Sequence, residues 1–351
     1  MNKKISIIVG SVVFLIVGFV VLLGSLSSTL TEANKALNQA QTPEELVEVW
    51  QDFNPELKSS NSKKLLTSLR TRARELELNE EEIEQLKEFL PKGEKSLNVI
   101  VIPDLSRRII DTINNPHQIE NDQLVIETIW NEFVKISKFK RNSSDFFSIN
   151  VTDLDQAKGS FSSIANNLRL DVSEKNKSNR ILFTDSLNST IKENVKKMYE
   201  QAQQKPLGAD YKFYFRRHLP GLLKSADLDY SYRNKIILIT DGYLEAENEP
   251  ADTKIAGYEK LLKQAVLNGT IDQKIRELGL NIPVLPIDLS NADVLICEVN
   301  ERKSGRGFHF EILQSYWTQW LEGMGAKNVV FIGREQSTQQ TQKQIREFLK
   351  K

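Results

Sequence analysis

Between Ile5 and Leu26 the chain has no charged side chain and is dominated by Ile, Val, Leu, Phe and Gly. As a helix, at about 1.5 Å per residue, such a run reaches roughly 30 Å, the depth of a bilayer core. Cleavable secretory signals have apolar cores of only about 7–15 residues, so an uncleaved anchor is expected. The small residues Ser25, Ser27 and Ser28 follow the run and keep a cleavable signal open as the alternative. Lys3 and Lys4 precede it, and the positive-inside rule then leaves the short N-terminus in the cytoplasm. The rest of the chain is expected on the exported side, periplasmic or extracellular, as the soluble part of a single-pass membrane protein.

That soluble part has the composition of a globular protein. Of 351 residues, 40% are apolar and 27% charged, enough to bury a core. Basic and acidic residues number 47 each. A nucleic-acid partner would call for a basic excess, so none is expected. The single cysteine, Cys297, excludes an intramolecular disulfide, and its apolar neighbours suggest a buried small hydrophobe. The three histidines are too scattered for a zinc cluster.

Three segments are expected: residues 1–28 as the transmembrane anchor, 29–93 as a helical stalk or small helical subdomain, and 94–351 as an α/β domain. In the second, Thr42-Pro43-Glu44-Glu45 opens one helix and Asn54-Pro55 closes it. Asn61 or Ser62 opens the next, and Asn79 with its three following glutamates a third, stopped at Pro91-Lys92-Gly93. No heptad is sustained, so a spacer is expected ahead of a coiled coil.

Beyond Gly93 the periodicity changes. Leu97 to Ile102 and Lys235 to Thr240 are near-continuous apolar runs, the pattern of strands buried on both faces. Further strands are expected at Phe146 to Val151, Val284 to Ile287, Val294 to Val299 and Asn328 to Ile332, with a weaker candidate at Arg180 to Thr184. Helical patterns lie between them: Gln123 to Ser137, Thr253 to Leu278 with a break near Asn268-Gly269, Phe310 to Met324, and Ser337 to Lys350. Alternating strands and helices predict a doubly wound, Rossmann-like, mostly parallel sheet flanked by helices.

In such sheets ligands sit beyond the carboxyl ends of the strands. Two of the apolar runs end there in an aspartate, Asp104 in Pro103-Asp104-Leu105-Ser106 and Asp241 in Thr240-Asp241-Gly242. Carboxylates and hydroxyls at one edge are what a Mg²⁺ or Ca²⁺ ion requires, whereas an aspartate that only caps its own turn is the plainer alternative. The two motifs resemble those of the von Willebrand factor A domain family, whose adhesion site is Asp-x-Ser-x-Ser, a later Thr, and an Asp in a Thr-Asp-Gly context. The resemblance implies a doubly wound sheet and protein binding at its edge, through a Mg²⁺ ion that a partner carboxylate completes. It implies Asp104, Ser106 and Asp241 as ligands. The family's second serine is replaced by Arg108, and its threonine has no clear match, so Asp210 is the suggested substitute. Capping the helix that starts at Tyr211 is the competing role for Asp210. Arg107 or Arg108, paired with Asp104, Asp111 or Asp241, would make the site metal-free.

Other polar groups give weaker signals. The Gly-rich loop from Glu301 to Gly307 lacks the strand–GxxxxGK[ST]–helix pattern of a phosphate loop, and Arg306 and His309 are candidates only for an anionic contact. Trp317 and Trp320 fit a helix core, and Asp153 and Asp155 a solvated loop. No nucleophile or base is identifiable beside Asp104 and Asp241. A protein-binding scaffold in the cell envelope is therefore expected, with a Mg²⁺-dependent hydrolase at the same edge as the alternative.

Overall fold

The computed structural model describes residues 29–351 apart from 92–93, 139, 141–143, 153–160, 173–176, 207–208, 227–229, 246–250, 303–306 and 335–336. The run from Ile5 to Leu26 lies outside the described residues, as do Arg306, Asp153 and Asp155. Among the described residues no helix is long and apolar enough to cross a membrane. The chain divides into two compact units, residues 1–93 with 226–230, and residues 94–225 with 231–351.

The first unit is helical. Residues 29–39 form a helix, followed by α1 (Pro43–Phe53), α2 (Ser59–Glu75) and α3 (Glu80–Phe89). Thr42 caps α1 by accepting the Glu45 N–H, and Pro43 occupies the first turn. Asn79 and Glu82 form a reciprocal capping box on α3. Helix α2 starts at Ser59, earlier than the sequence suggests, with Lys58 at its N-cap position. The helices bury their own core, including Leu37, Leu46, Trp50, Leu65, Leu69 and Leu86. Arg72 donates from Nε and Nη2 to the Ala40 carbonyl.

The second unit is an α/β domain built on a six-stranded, mostly parallel sheet flanked by helices. Its strands are β1 (Glu94–Pro103), β2 (Phe146–Ile149), β3 (Arg169–Asp171), β4 (Tyr230–Ile239), β5 (Ala292–Val299) and β6 (Asn328–Gly333). They lie in the order β3-β2-β1-β4-β5-β6. β1 with β2, β4 with β5, and β5 with β6 pair in parallel, and only β3 is shown antiparallel. The helices are α4 (Gln118–Ser137), α5 (Ser162–Asn167), α6 (Lys177–Gln204), α7 (Tyr211–Arg217), α8 (Glu259–Leu267), α9 (Ile271–Glu277), α10 (His309–Gly323) and α11 (Thr338–Lys350).

The apolar runs are central because both their faces are covered. Val99, Val101, Ile237 and Ile239 point into one core with Trp130, Phe133, Tyr199 and Phe348. Ile100, Ile102, Ile236 and Leu238 point into the other with Phe215, Trp317 and Trp320. Cys297 is fully buried in the first.

Two expected strands are corrected. Residues 284–287 form no strand, because Pro283 precedes the run and Pro286 lies inside it, and each removes a ladder N–H; Val284 is left exposed. Residues 180–184 belong to helix α6, and the third strand on that side is instead the short β3, which has no apolar run to announce it. Residues 253–258 lie outside any helix, and the break near Asn268 separates α8 from α9.

Candidate functional site

Strand order reverses between β1 and β4, the point where open α/β sheets form a crevice at their carboxyl ends. Asp104 and Asp241 follow these two strands. The Asp104 N–H bonds the Ile239 carbonyl at 2.9 Å, stitching the two strand ends together. Asp104 and Asp241 are both buried, and the charge of the first raises the pKa of the second. The structure therefore brings these two carboxyl groups to one rim.

Each oxygen of Asp104 already has a donor. Oδ1 accepts the Ser106 N–H at 2.9 Å, an aspartate turn, and Oδ2 accepts the Thr240 hydroxyl at 3.0 Å. The Ser106 side chain caps a 3-10 turn over Arg107–Ile109, accepting the Arg108 N–H. That turn directs Arg108 back under the rim. Its Nε bonds the Asp104 carbonyl at 3.0 Å and lies 3.3 Å from Asp104 Oδ2. Its Nη2 bonds the Ile239 carbonyl at 2.8 Å and Asp122 Oδ2 at 2.7 Å.

Asp122 projects from α4 and is fully buried. Gln118 Nε2 donates to its Oδ1 at 2.6 Å, and the Tyr199 hydroxyl to its Oδ2 at 2.9 Å. Burial still pushes the Asp122 carboxyl above the usual carboxylate range, against the pull of Arg108 and these two donors. Burial disfavours the Arg108 charge as well, but Asp122 and Asp104 outweigh it and hold the guanidinium above its ordinary range. Burial and the Asp122 charge push the Tyr199 phenol well up.

Asp241 is less well matched. Its Oδ1 accepts the Tyr243 N–H at 3.3 Å, and its Oδ2 lies 3.6 Å from Arg302 Nη2. Arg302 is committed elsewhere: its two terminal nitrogens grip Glu245 at 2.9 Å each, and its guanidinium lies over the Tyr243 ring, 4.0 Å from the centroid. Burial, then the Asp104 charge, push the Asp241 carboxyl up to about 6, against the weaker influence of Arg302, Arg108 and the Tyr243 N–H. The Trp317 indole holds the turn by donating to the Gly242 carbonyl at 2.8 Å. Gly242 has φ +93, a conformation that strains any L side chain, and a Cβ there would also sit tightly, 3.1 Å from Val299 Cγ1.

The other candidates are placed differently. Asp210 caps α7, its Oδ1 accepting the Phe213 N–H at 2.8 Å, and it is not among the groups bonded to Asp104 or Asp241. The hydroxyl facing Asp104 belongs to Thr240, which sequence reasoning had left inside the β4 motif. Arg107 does not take part in the pairing; Arg108 does. Asp111 binds its own loop through Asn114 and Ile113. His309 is buried, its Nδ1 bonded at 2.7 Å to the Tyr243 hydroxyl, which also accepts the Arg302 N–H. Asp122, Thr240 and Arg302 were missed as site residues.

A Mg²⁺ ion needs near-octahedral oxygen coordination at about 2.0–2.1 Å. Here the Asp104 oxygens and the Ser106 hydroxyl face protein donors, and a guanidinium sits against Asp104. Among the described residues no group of three His, Cys, Asp or Glu side chains gathers in a metal-binding arrangement. The guanidinium 3.3 Å from Asp104 Oδ2 opposes a cation at this carboxylate. No family model matches the chain, and no curated protein matches it.

Proposed function

We propose that this chain is a membrane-tethered binding and scaffolding module of the cell envelope, with a rim like that of the von Willebrand factor A domains but neutralised by an arginine. The observation that supports it is the Arg108 clasp: one buried guanidinium bonded to the Asp104 carbonyl, the Ile239 carbonyl and Asp122, and 3.3 Å from the Asp104 carboxylate. A fixed internal cation of this kind offsets part of the carboxylates' charge in a low-dielectric setting, leaving less for a bound ion to compensate. Its exposed apolar residues, Ile110 and Ile113, lie on the loop that follows β1, where a protein partner would meet them.

Two experiments test this. A photo-crosslinking amino acid replaces Ile113, which is 68% exposed, in native membranes. The expected result is a discrete protein adduct that persists in EDTA. An adduct lost in EDTA and restored by Mg²⁺ overturns the cation-free rim, and the absence of any adduct overturns the binding role at this edge. Separately, a topology reporter fused after Lys351 is expected to be active only in its exported form. Activity of a cytoplasmic reporter alone overturns the expected orientation.

A further inference from the structure

The sheet ends differently on its two sides. β3 is three residues long, pairs antiparallel, and exposes Arg169 and Asp171. A short, charged edge of this kind resists further pairing. β6 runs for six residues, Asn328 to Gly333, with neither charge nor proline. It is the last strand in the sheet, and among the described residues no strand pairs with its outer side. Val330 and Ile332 pack on one core and Val329 and Phe331 on the other, yet Val329, Val330 and Phe331 are only half-buried. The faces are occupied, and the edge is what a partner could cover.

The backbone decides which residues can pair there. The Arg334 N–H bonds the Val299 carbonyl of β5 at 2.8 Å. With the two-residue alternation of a strand, Asn328, Val330 and Ile332 turn their peptide groups toward β5, and Val329, Phe331 and Gly333 turn theirs outward. In an antiparallel pair, two residues exchange hydrogen bonds only if both turn outward. A second copy of β6 meets this condition when Phe331 lies opposite Phe331 on a two-fold axis. Val329 of each copy then exchanges bonds with Gly333 of the other, so every outward residue of the strand is paired. On one face Val330 lies opposite Ile332, a pair of β-branched side chains. On the other face the two Phe331 rings meet, each already held edge-on by Phe310 at 5.1 Å. Gly333 adds no side chain to that corner, where a Cβ would come within 3.1 Å of Phe310 Cε2.

The charges agree with this register. Arg334 is committed within its own chain, to Glu298 at 3.1 Å, to the Pro116 carbonyl and to Gln118, and it would lie opposite the neutral Asn328. Lys327 and Glu335 stand at equal distances from Phe331 along the sequence. A two-fold through Phe331 therefore relates a basic position to an acidic one, and opposite charges across strands are favourable. Pairing of identical patches is also closed: with β3 at both far edges, two copies join and no further copy adds.

We propose that β6 is the interface of a two-fold homodimer, in which two chains continue one sheet through antiparallel β6 strands centred on Phe331. The test uses the full chain in detergent. Light scattering after size exclusion is expected to show a dimer, and Val329→Pro to halve its protein mass, because proline removes an outward N–H at a position an edge strand tolerates. Phe331→Cys is expected to give a disulfide-linked dimer on mild oxidation, since a hydrogen-bonded pair sets its Cα atoms about 5.5 Å apart. Asn328→Cys, far out of register with its own copy, is expected to give none. A monomeric wild type overturns the proposal. So does a dimer that survives in folded Val329→Pro, or one linked through Asn328→Cys and not through Phe331→Cys. If Val329→Pro fails to fold, the two cysteine variants decide. The photo-adduct at Ile113 tests the module reading separately, because a monomeric chain can still form it.

Discussion

Replacing Arg108 with leucine is expected to destabilise the α/β domain by about 3–5 kcal/mol, the range for breaking a buried ion pair by removing one partner. The reason is what it leaves behind. Asp122 is fully buried, and Asp104 nearly so; without the guanidinium, neither has a cation within bonding distance. The Asp122 carboxyl, already pushed up by burial and then without the pull of Arg108, would ionise only at a higher pH in the folded state than in the unfolded chain. The loss should therefore be greatest at neutral and alkaline pH and shrink as the medium is acidified through the folded-state pKa values. Urea unfolding of Arg108→Leu at several pH values measures this. Adding Asp122→Asn to the same chain should recover a substantial part of the loss, since removing both members of a buried pair costs far less than removing one. A loss below about 1 kcal/mol at neutral pH would show that the clasp is wet, not buried.

Asp241→Asn should act in the opposite direction. The wild-type carboxyl is pushed up to about 6 from an ordinary value of 3.8, by burial and by the Asp104 charge. The folded state thus binds a proton more tightly than the unfolded chain does. Below the unfolded value both states are protonated and nothing is lost. As the pH rises through the folded value the folded protein must ionise a buried group, and stability falls by about 3 kcal/mol. The amide avoids that penalty and keeps an oxygen for the Tyr243 N–H. Above pH 7 the variant should be the more stable protein, by about 1–3 kcal/mol once the lost Arg302 attraction is allowed for. Below about pH 4 the two should converge. Subtracting the variant's pH–stability curve from that of the wild type isolates this group from the other buried acids, Asp122 and Glu298, the latter buried on β5 and paired with Arg334 at 3.1 Å. If the asparagine variant is less stable at neutral pH, Arg302 compensates Asp241 more fully than its 3.6 Å separation suggests. A residue whose native form lowers stability at the rim of a sheet is what a binding site predicts.

Much of the scaffold could be read from the chain because its signals are local. The runs at Val99 to Ile102 and Ile236 to Ile239 are apolar at every position, a pattern that suits a strand covered on both faces. Thr42-Pro43 and Asn79 announced their helices through caps that involve only near neighbours. The strand expected at residues 284–287 failed for an equally local reason, since Pro283 and Pro286 were in plain view. Within the site, Asp122 was also legible: it falls on the same helical stripe as Ile119, Ile126, Ile129 and Phe133, where an acid must find a buried partner. The identity of that partner was not. Nothing in the spacing distinguishes Arg108 from Arg107, because the choice depends on a single 3-10 turn. Nor does sequence order reveal that Thr240 faces Asp104, or that Arg302 crosses to Asp241.

The hydrogen bond from Thr240 to Asp104 joins residues 136 positions apart. The middle of the sheet is therefore assembled from distant parts of the chain, and β1 must wait for β4 before its right-hand neighbour exists. Closing so long a loop is slow, and its entropy has to be lost before the contact gives anything back. Until then Asp104, Arg108 and Asp122 remain in water, where three charges are harmless. The same three groups make a mispaired β1 costly, because any other neighbour would dehydrate them without the Ile239 carbonyl and the Thr240 hydroxyl to receive them. The clasp can form only where β1 and β4 lie side by side, so its bonds to the Ile239 carbonyl and from the Thr240 hydroxyl favour that pairing over any other.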